Sequence, residues 1–241
     1  MSLFNSQQNV IYNSFLGRGY RKLSRFLCNK KNENKGEFGA HVVADVFSLG
    51  TNYFPMFGTL LSIYRDGSFL FADDFDFAVF DVFPDDMIDN AEAIGYVLSS
   101  ISIIGHKREI IEYSFQKEID GKLVKVDFFK LKTIDGVIRH YCPNFRKEKE
   151  YVSFENGLKI CSFNSFFYVD YPYFNLVDSS WGVKVPEKPE EIFELHYGKD
   201  WKIPKIKDFI DFEAYYFVQE KSMTVVGDSS SLKKYIKNIS S

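Results

Sequence analysis

The sequence predicts an α+β protein: a mixed sheet with flanking helices, followed by an aromatic-rich C-terminal elaboration. Three observations predict it. Apolar residues recur at helical spacing before residue 50, two Asp-Gly turns separate strand-like segments in the middle, and Tyr and Phe dominate from residue 146 onward. With 241 residues the chain is long enough for one full domain and short for two. We therefore expect a single domain with a helical segment at 1–50, core motifs at 57–131 and the elaboration at 146–241.

The elements follow in order. Ile11, Phe15, Leu23 and Phe26 predict one or two short helices over 11–26, interrupted by Gly17 and Gly19. The polar stretch 29–36 reads as a loop. Val42, Val43, Val46 and Phe47 predict a helix over 41–49, which Gly50 stops. A short strand over 53–57 enters a turn at Gly58, and a helix over 59–64 ends at Gly67. Phe75, Phe77, Val79 and Val82 predict a buried strand within 69–83. Pro84 and Asp85 open a helix expected to run to about residue 100. Strands over 109–118 and 123–131 flank the Asp120-Gly121 turn, and Asp135-Gly136 precedes a third strand over 137–141. Together they predict an antiparallel meander beside the strand at Phe75. Residues 146–185 are irregular, and their elements cannot be placed from pattern alone. Pro189 opens a short helix through Leu195. The Ser- and Lys-rich end, 229–241, is expected to fray. Its Leu232, Tyr235 and Ile236 with three Lys offer peripheral contact to an anionic membrane, against the blander reading of a solvated helix.

Composition excludes some functions. A net charge of −3 gives no dominant basic field, so no nucleic-acid partner is expected. The three cysteines, Cys28, Cys142 and Cys161, are odd in number and widely spaced, which fits a reduced compartment. His140, Cys142 and Cys161 are a candidate zinc set; buried thiols and a surface His are the alternative we favour. No apolar run is long enough to span a bilayer, and 1–8 lacks signal-peptide character. A cytoplasmic location follows as the expectation. The 26 Phe and 15 Tyr read as core, including the rings over 163–174, rather than as a cage for a sugar or quaternary ammonium.

The chemistry concentrates in 57–80. Asp73, Asp74 and Asp76 sit inside an apolar segment, where carboxylates are costly unless compensated. In a strand Asp74 and Asp76 share a face and repel. A divalent cation, Mg2+ or Mn2+, removes that penalty, with Asp73 as a further candidate ligand. Gly58 and Thr59, before a short helix, suit close approach to a phosphate, Thr59 adding a hydroxyl or capping the helix. Arg65 could neutralise phosphate. Asp127, in a predicted apolar strand, would serve as third metal ligand or as general base. Gly-Thr turn, helix, Asp-x-Asp strand and later Asp form the layout of a nucleotidyltransferase-like fold.

These motifs resemble the LicD family, which includes bacterial phosphocholine transferases and is related to fukutin. Gly58-Thr59-Leu60-Leu61, Arg65 and Asp74-Phe75-Asp76 look like its first motif. Lys125-Val126-Asp127-Phe128-Phe129 looks like its later Val-Asp-Ile-Phe strand. His196 to Pro204, with Tyr197, Gly198, Asp200 and Trp201, resembles its C-terminal Tyr-Gly-x-Asp signature. Departures are Ser62 in place of a Gly, Ala72 in place of an Asp, and a missing Pro-Trp before the acidic cluster. The resemblance implies metal-dependent transfer of a phosphocholine-like group from a CDP-linked donor to a sugar hydroxyl of a cell-surface glycan, such as lipopolysaccharide or capsule polysaccharide, at the inner face of the membrane. It also implies that Tyr197, Gly198 and Asp200 shape the site; physically, Gly198 reads equally well as a helix stop. The alternatives are a true nucleotidyltransferase, acting on a sugar or small molecule, and a non-catalytic binding protein that keeps the fold.

Overall fold

The computed structural model describes residues 35–50, 53–67, 74–146, 151–205 and 210–240. The helices expected over 11–26, together with Cys28, Ala72 and Asp73, lie outside the described residues.

Helix α1 (Lys35–Ser48) takes in Lys35 and Gly36, where a loop was expected. Its Phe38, Val42, Val43 and Val46 are buried, the stripe that a 3.6-residue period presents to a core. Asp45 ties it to the sheet by accepting from Lys117 Nζ at 2.7 Å and Tyr96 Oη at 3.2 Å. Strand β1 (Phe54–Pro55) leads into α2 (Phe57–Asp66). Helix α2 buries Leu60, Leu61 and Ile63 and ends at Gly67, whose φ of 72° lets its N–H reach the Ile63 carbonyl.

Strand β2 (Asp74–Phe80) pairs antiparallel with β1. The helix expected from Pro84 is only α3 (Met87–Ala93). It stops at Gly95, and β3 (Val97–Ile104) follows. Local preference explains the difference: Val97, Ile101, Ile103 and Ile104 are β-branched. All but the first residue of β3 are buried, so no alternation marks it as a strand.

The meander is present as β4 (Glu109–Ile119), β5 (Lys122–Ile134) and β6 (Val137–Pro143). Both Asp-Gly turns place two successive residues in the left-handed region, the geometry of a type I′ hairpin. The region 146–185 holds β7 (Tyr151–Glu155), β8 (Leu158–Phe163), β9 (Phe166–Tyr171), β10 (Leu176–Asp178) and β11 (Lys184–Pro186). Asn156-Gly157 joins β7 to β8 with the same left-handed pair. Helix α4 (Pro189–Tyr197) starts at its Pro as expected and packs against α2. Strands β12 (Tyr216–Val218) and β13 (Ser222–Val226) precede α5 (Ser229–Ser240).

The result is a mixed α+β architecture dominated by one large, mostly antiparallel sheet in the order β12-β9-β6-β5-β4-β3-β13-β8-β7. Strand β2 joins this path at β5, and that pairing is parallel. The C-terminal end is not frayed. Leu232 of α5 is fully buried, Tyr235 and Ile236 pack against the core, and Lys233 bridges Asp89 at 3.2 Å and Glu92 at 2.6 Å. Asp228 caps the helix by accepting from the Ser231 N–H at 3.0 Å. The apolar face that the sequence offered to a membrane is therefore turned inward. Among the described residues no helix is long and apolar enough to cross a membrane.

Candidate metal and phosphate site

The parallel pairing of β2 with β5 builds the site. Its register sets Asp76 beside Asp127 and Asp74 beside Lys125. Because side chains alternate along each strand, Asp74, Asp76, Lys125 and Asp127 share one face. A carboxylate oxygen from each of the three aspartates lies within 4.8 Å of the other two. Asp74 is exposed, Asp76 half-buried and Asp127 only 4% exposed.

The first turn of α2 meets this cluster. The Gly58 N–H donates to Asp76 Oδ2 at 3.0 Å, and the Asp76 N–H donates to Thr59 Oγ1 at 2.7 Å. The close approach expected of Gly58 is thus made to an anion of the chain itself. A Cβ there would stand 3.1 Å from Asp76 Oδ2. The positive end of the helix also favours that carboxylate. Thr59 is buried, and its oxygen bolts α2 to β2. The helix N-cap is Met56, without a side-chain cap, so the capping expected of Thr59 is not what it does.

Electrostatics show that the cluster is under-compensated. Burial, then Asp74 and Asp127, push the Asp76 carboxyl well above its usual range, against Lys125 and the Gly58 N–H. Burial raises Asp127 too, although Lys125 opposes it. Burial works against the Lys125 ammonium, yet Asp127 and Asp74 outweigh it and hold its pKa well above the ordinary lysine value. Lys125 is salt-bridged to Asp127 Oδ2 and lies 3.8 Å from Asp74 Oδ1. The other oxygen of Asp127, Oδ1, is buried without a hydrogen bond of good geometry, while the Ser114 hydroxyl on the neighbouring strand helps to stabilise the carboxylate. Three clustered carboxylates, one of them with a buried oxygen left without a good partner, are a donor set a hard divalent cation takes. The residues therefore fit Mg2+ or Mn2+.

A cleft of about 200 Å3 opens beside Gly58. It is lined by Gly58, Leu61, Arg65, Tyr197, Trp201, Ile203 and Lys205, so the third motif does come to the first. Arg65 faces the cleft while its guanidinium forks onto Asp66, with an Nη2–Oδ2 distance of 2.9 Å. Gly198 and Asp200 do not line it. Gly198 ends α4 at φ 83°, where a Cβ would meet Asp211 Oδ2 at 3.0 Å. Asp200 holds Lys205 at 2.6 Å, and the same lysine reaches the Tyr197 carbonyl at 3.3 Å. Asp200 thus acts on the cleft through Lys205.

Other candidates are not brought into the site. Among the described residues His140, Cys142 and Cys161 do not converge as a ligand set. His140 is not a surface residue; it is buried against Phe57 and Phe129, and burial lowers its pKa to about 3. Of the rings over 163–174, Phe163, Phe166, Phe167 and Tyr171 are buried as a core reading expects, but Tyr168 and Phe174 are half-buried and Tyr173 is exposed. The sequence reading gave no site role to Lys125 or Lys205, and it named Trp201 only as part of the C-terminal motif. For Lys125 the signal was present: two residues before Asp127 in a strand, it must share that side chain's face. No family model matches the chain, and no curated protein or solved structure matches it.

Proposed function

We propose that this chain is a metal-dependent, LicD-type phosphotransferase on a nucleotidyltransferase-like sheet. It moves a phosphocholine-like group from a CDP-linked donor to a sugar hydroxyl of a cell-surface glycan, working in the cytoplasm at the inner face of the membrane. The observation that carries this reading is the convergence of Asp74, Asp76 and Asp127, joined through the Gly58 N–H on Asp76 to a cleft lined by Gly58, Arg65 and Lys205.

Asp74, Asp76 and Asp127 would hold Mg2+ or Mn2+. When bound, the ion supplies charge neutralisation to a diphosphate and polarises the phosphoryl group. The chain's own part is positioning and fixed charge, which carry most of phosphoryl transfer. Arg65 and Lys205 balance the phosphates. Trp201 and Tyr197 give the cleft flat apolar walls for a nucleoside base. Gly58 and Thr59 hold Asp76 in place rather than touching phosphate. Asp127, salt-bridged to Lys125 and buried, serves as a ligand. In the transfer, the acceptor oxygen bonds to the phosphorus that carries the alcohol, the bridging P–O bond breaks, and CMP leaves, with the acceptor's hydroxyl proton passing to the departing phosphate or to water.

The test is a donor assay with purified chain, Mg2+ and an isotopically labelled CDP-alcohol. Release of CMP with a labelled acceptor supports the reading, and D76N should abolish it. A nucleotidylated acceptor would instead identify a nucleotide-attaching enzyme. Near wild-type turnover by D76N would remove the assignment.

A further inference from the structure

Two-cation phosphoryl-transfer sites hold their ions about 3.5–4 Å apart and bridge them with a shared carboxylate. Here the bridging position is taken. Asp127 stands in register with Asp76, and of its two oxygens Oδ2 is salt-bridged to Lys125, which leaves only Oδ1 for an ion. The Lys125 Nζ also lies 3.8 Å from Asp74 Oδ1, so the ammonium spans the two carboxylates a second ion would need. It is well held there: Lys125 comes from the same strand as Asp127, and its side chain is 18% exposed. Asp76, the remaining carboxylate, has Oδ2 committed to the Gly58 N–H.

We propose that Lys125 stands where a second metal ion would bind, so that this site takes one divalent cation and keeps a permanent protein cation beside it. The inference rests on the metal reading of the aspartate cluster. A lysine ammonium is a compact point charge with three donors, suited to holding two carboxylates at once. It does not dissociate, so its positive charge stays in place when the divalent ion is absent.

The test is the number of Mn2+ ions bound per chain, measured by equilibrium dialysis and by titration calorimetry on the full chain. One ion is expected for the wild type. Lys125→Met should bind two, or bind one at least tenfold more tightly, because the competing ammonium is gone. Lys125→Arg, which keeps the charge, should stay at one. Two ions on the wild type would overturn the inference while leaving the metal site standing. One ion on both proteins at unchanged affinity would overturn it as well. No Mn2+ on the wild type would remove the metal reading and this inference together. If Lys125→Met does not fold, Lys125→Gln replaces it with the same expected outcomes.

Discussion

Replacing Gly58 by alanine should separate helix stability from metal affinity. Gly58 lies in the first turn of α2, and it is not among the glycines with positive φ. Alanine therefore meets no backbone strain, and helix propensity alone would add up to about 1 kcal/mol of stability. The added Cβ, however, would stand 3.1 Å from Asp76 Oδ2, closer than nine in ten real Cβ contacts. The carboxylate must retreat by a few tenths of an ångström, and the 3.0 Å bond from the Gly58 N–H is lost or lengthened. A hydrogen bond to a charged group contributes about 1.5–3 kcal/mol, and that energy is what holds Asp76 in the ligand position. At about 1.4 kcal/mol per factor of ten, Mn2+ affinity should fall roughly tenfold to a hundredfold. Calorimetric titration reads the affinity, and urea unfolding of the metal-free chain reads the stability. The reasoning is refuted if G58A binds Mn2+ as tightly as the wild type.

Further expectations concern pH, the cleft and the C-terminal helix. The Asp76 carboxyl, raised first by burial and then by Asp74 and Asp127, has a folded pKa above its unfolded value. Its destabilising effect on the metal-free fold is therefore absent below about pH 3.9, grows with pH, and is complete above the raised value. Mg2+ relieves it, so the rise in Tm on adding Mg2+ should be larger at pH 8 than at pH 5. An equal rise at both would contradict this. Trp201→Ala should weaken binding of a CDP donor by about 1–3 kcal/mol, the usual worth of base–aromatic stacking, and leave Mn2+ affinity unchanged; fluorescence or calorimetric titration distinguishes the two. Leu232→Ala, at a fully buried position of α5, should cost about 2–5 kcal/mol in urea unfolding. A loss below 0.5 kcal/mol, on the order of a surface substitution, would mean that the helix does not dock.

Local chemistry made much of this molecule legible. The Asp120-Gly121 and Asp135-Gly136 turns demand left-handed backbone, and they mark the hairpins where the structure has them. Asn156-Gly157 carries the same signal, but the aromatic density around it hides the alternation that would identify β7 and β8. Strand β3 is not legible because burial on both faces erases its period, and a run of Ile, Val and Ser then passes for a helix continuing from α3. Within the site, the shared face of Asp74 and Asp76 follows from alternation alone. Their meeting with Asp127 depends on β2 lying parallel to β5 in one register, and strand pairing over such a separation leaves no local mark. Gly58 shows a physical reading meeting a partner the sequence did not name. Its backbone does approach an anion closely, but the anion is the Asp76 carboxylate. The fate of residues 229–240 had the same cause: docking against distant Asp89 and Glu92, not local composition, holds α5 in place.

The most direct measurement is an anomalous difference map from crystals of the chain soaked in MnCl2. We predict a peak within about 2.3 Å of one oxygen each from Asp74, Asp76 and Asp127, including Oδ1 of Asp127. Well-ordered side chains at those three positions with no peak between them, or a peak only elsewhere on the surface, would contradict the account.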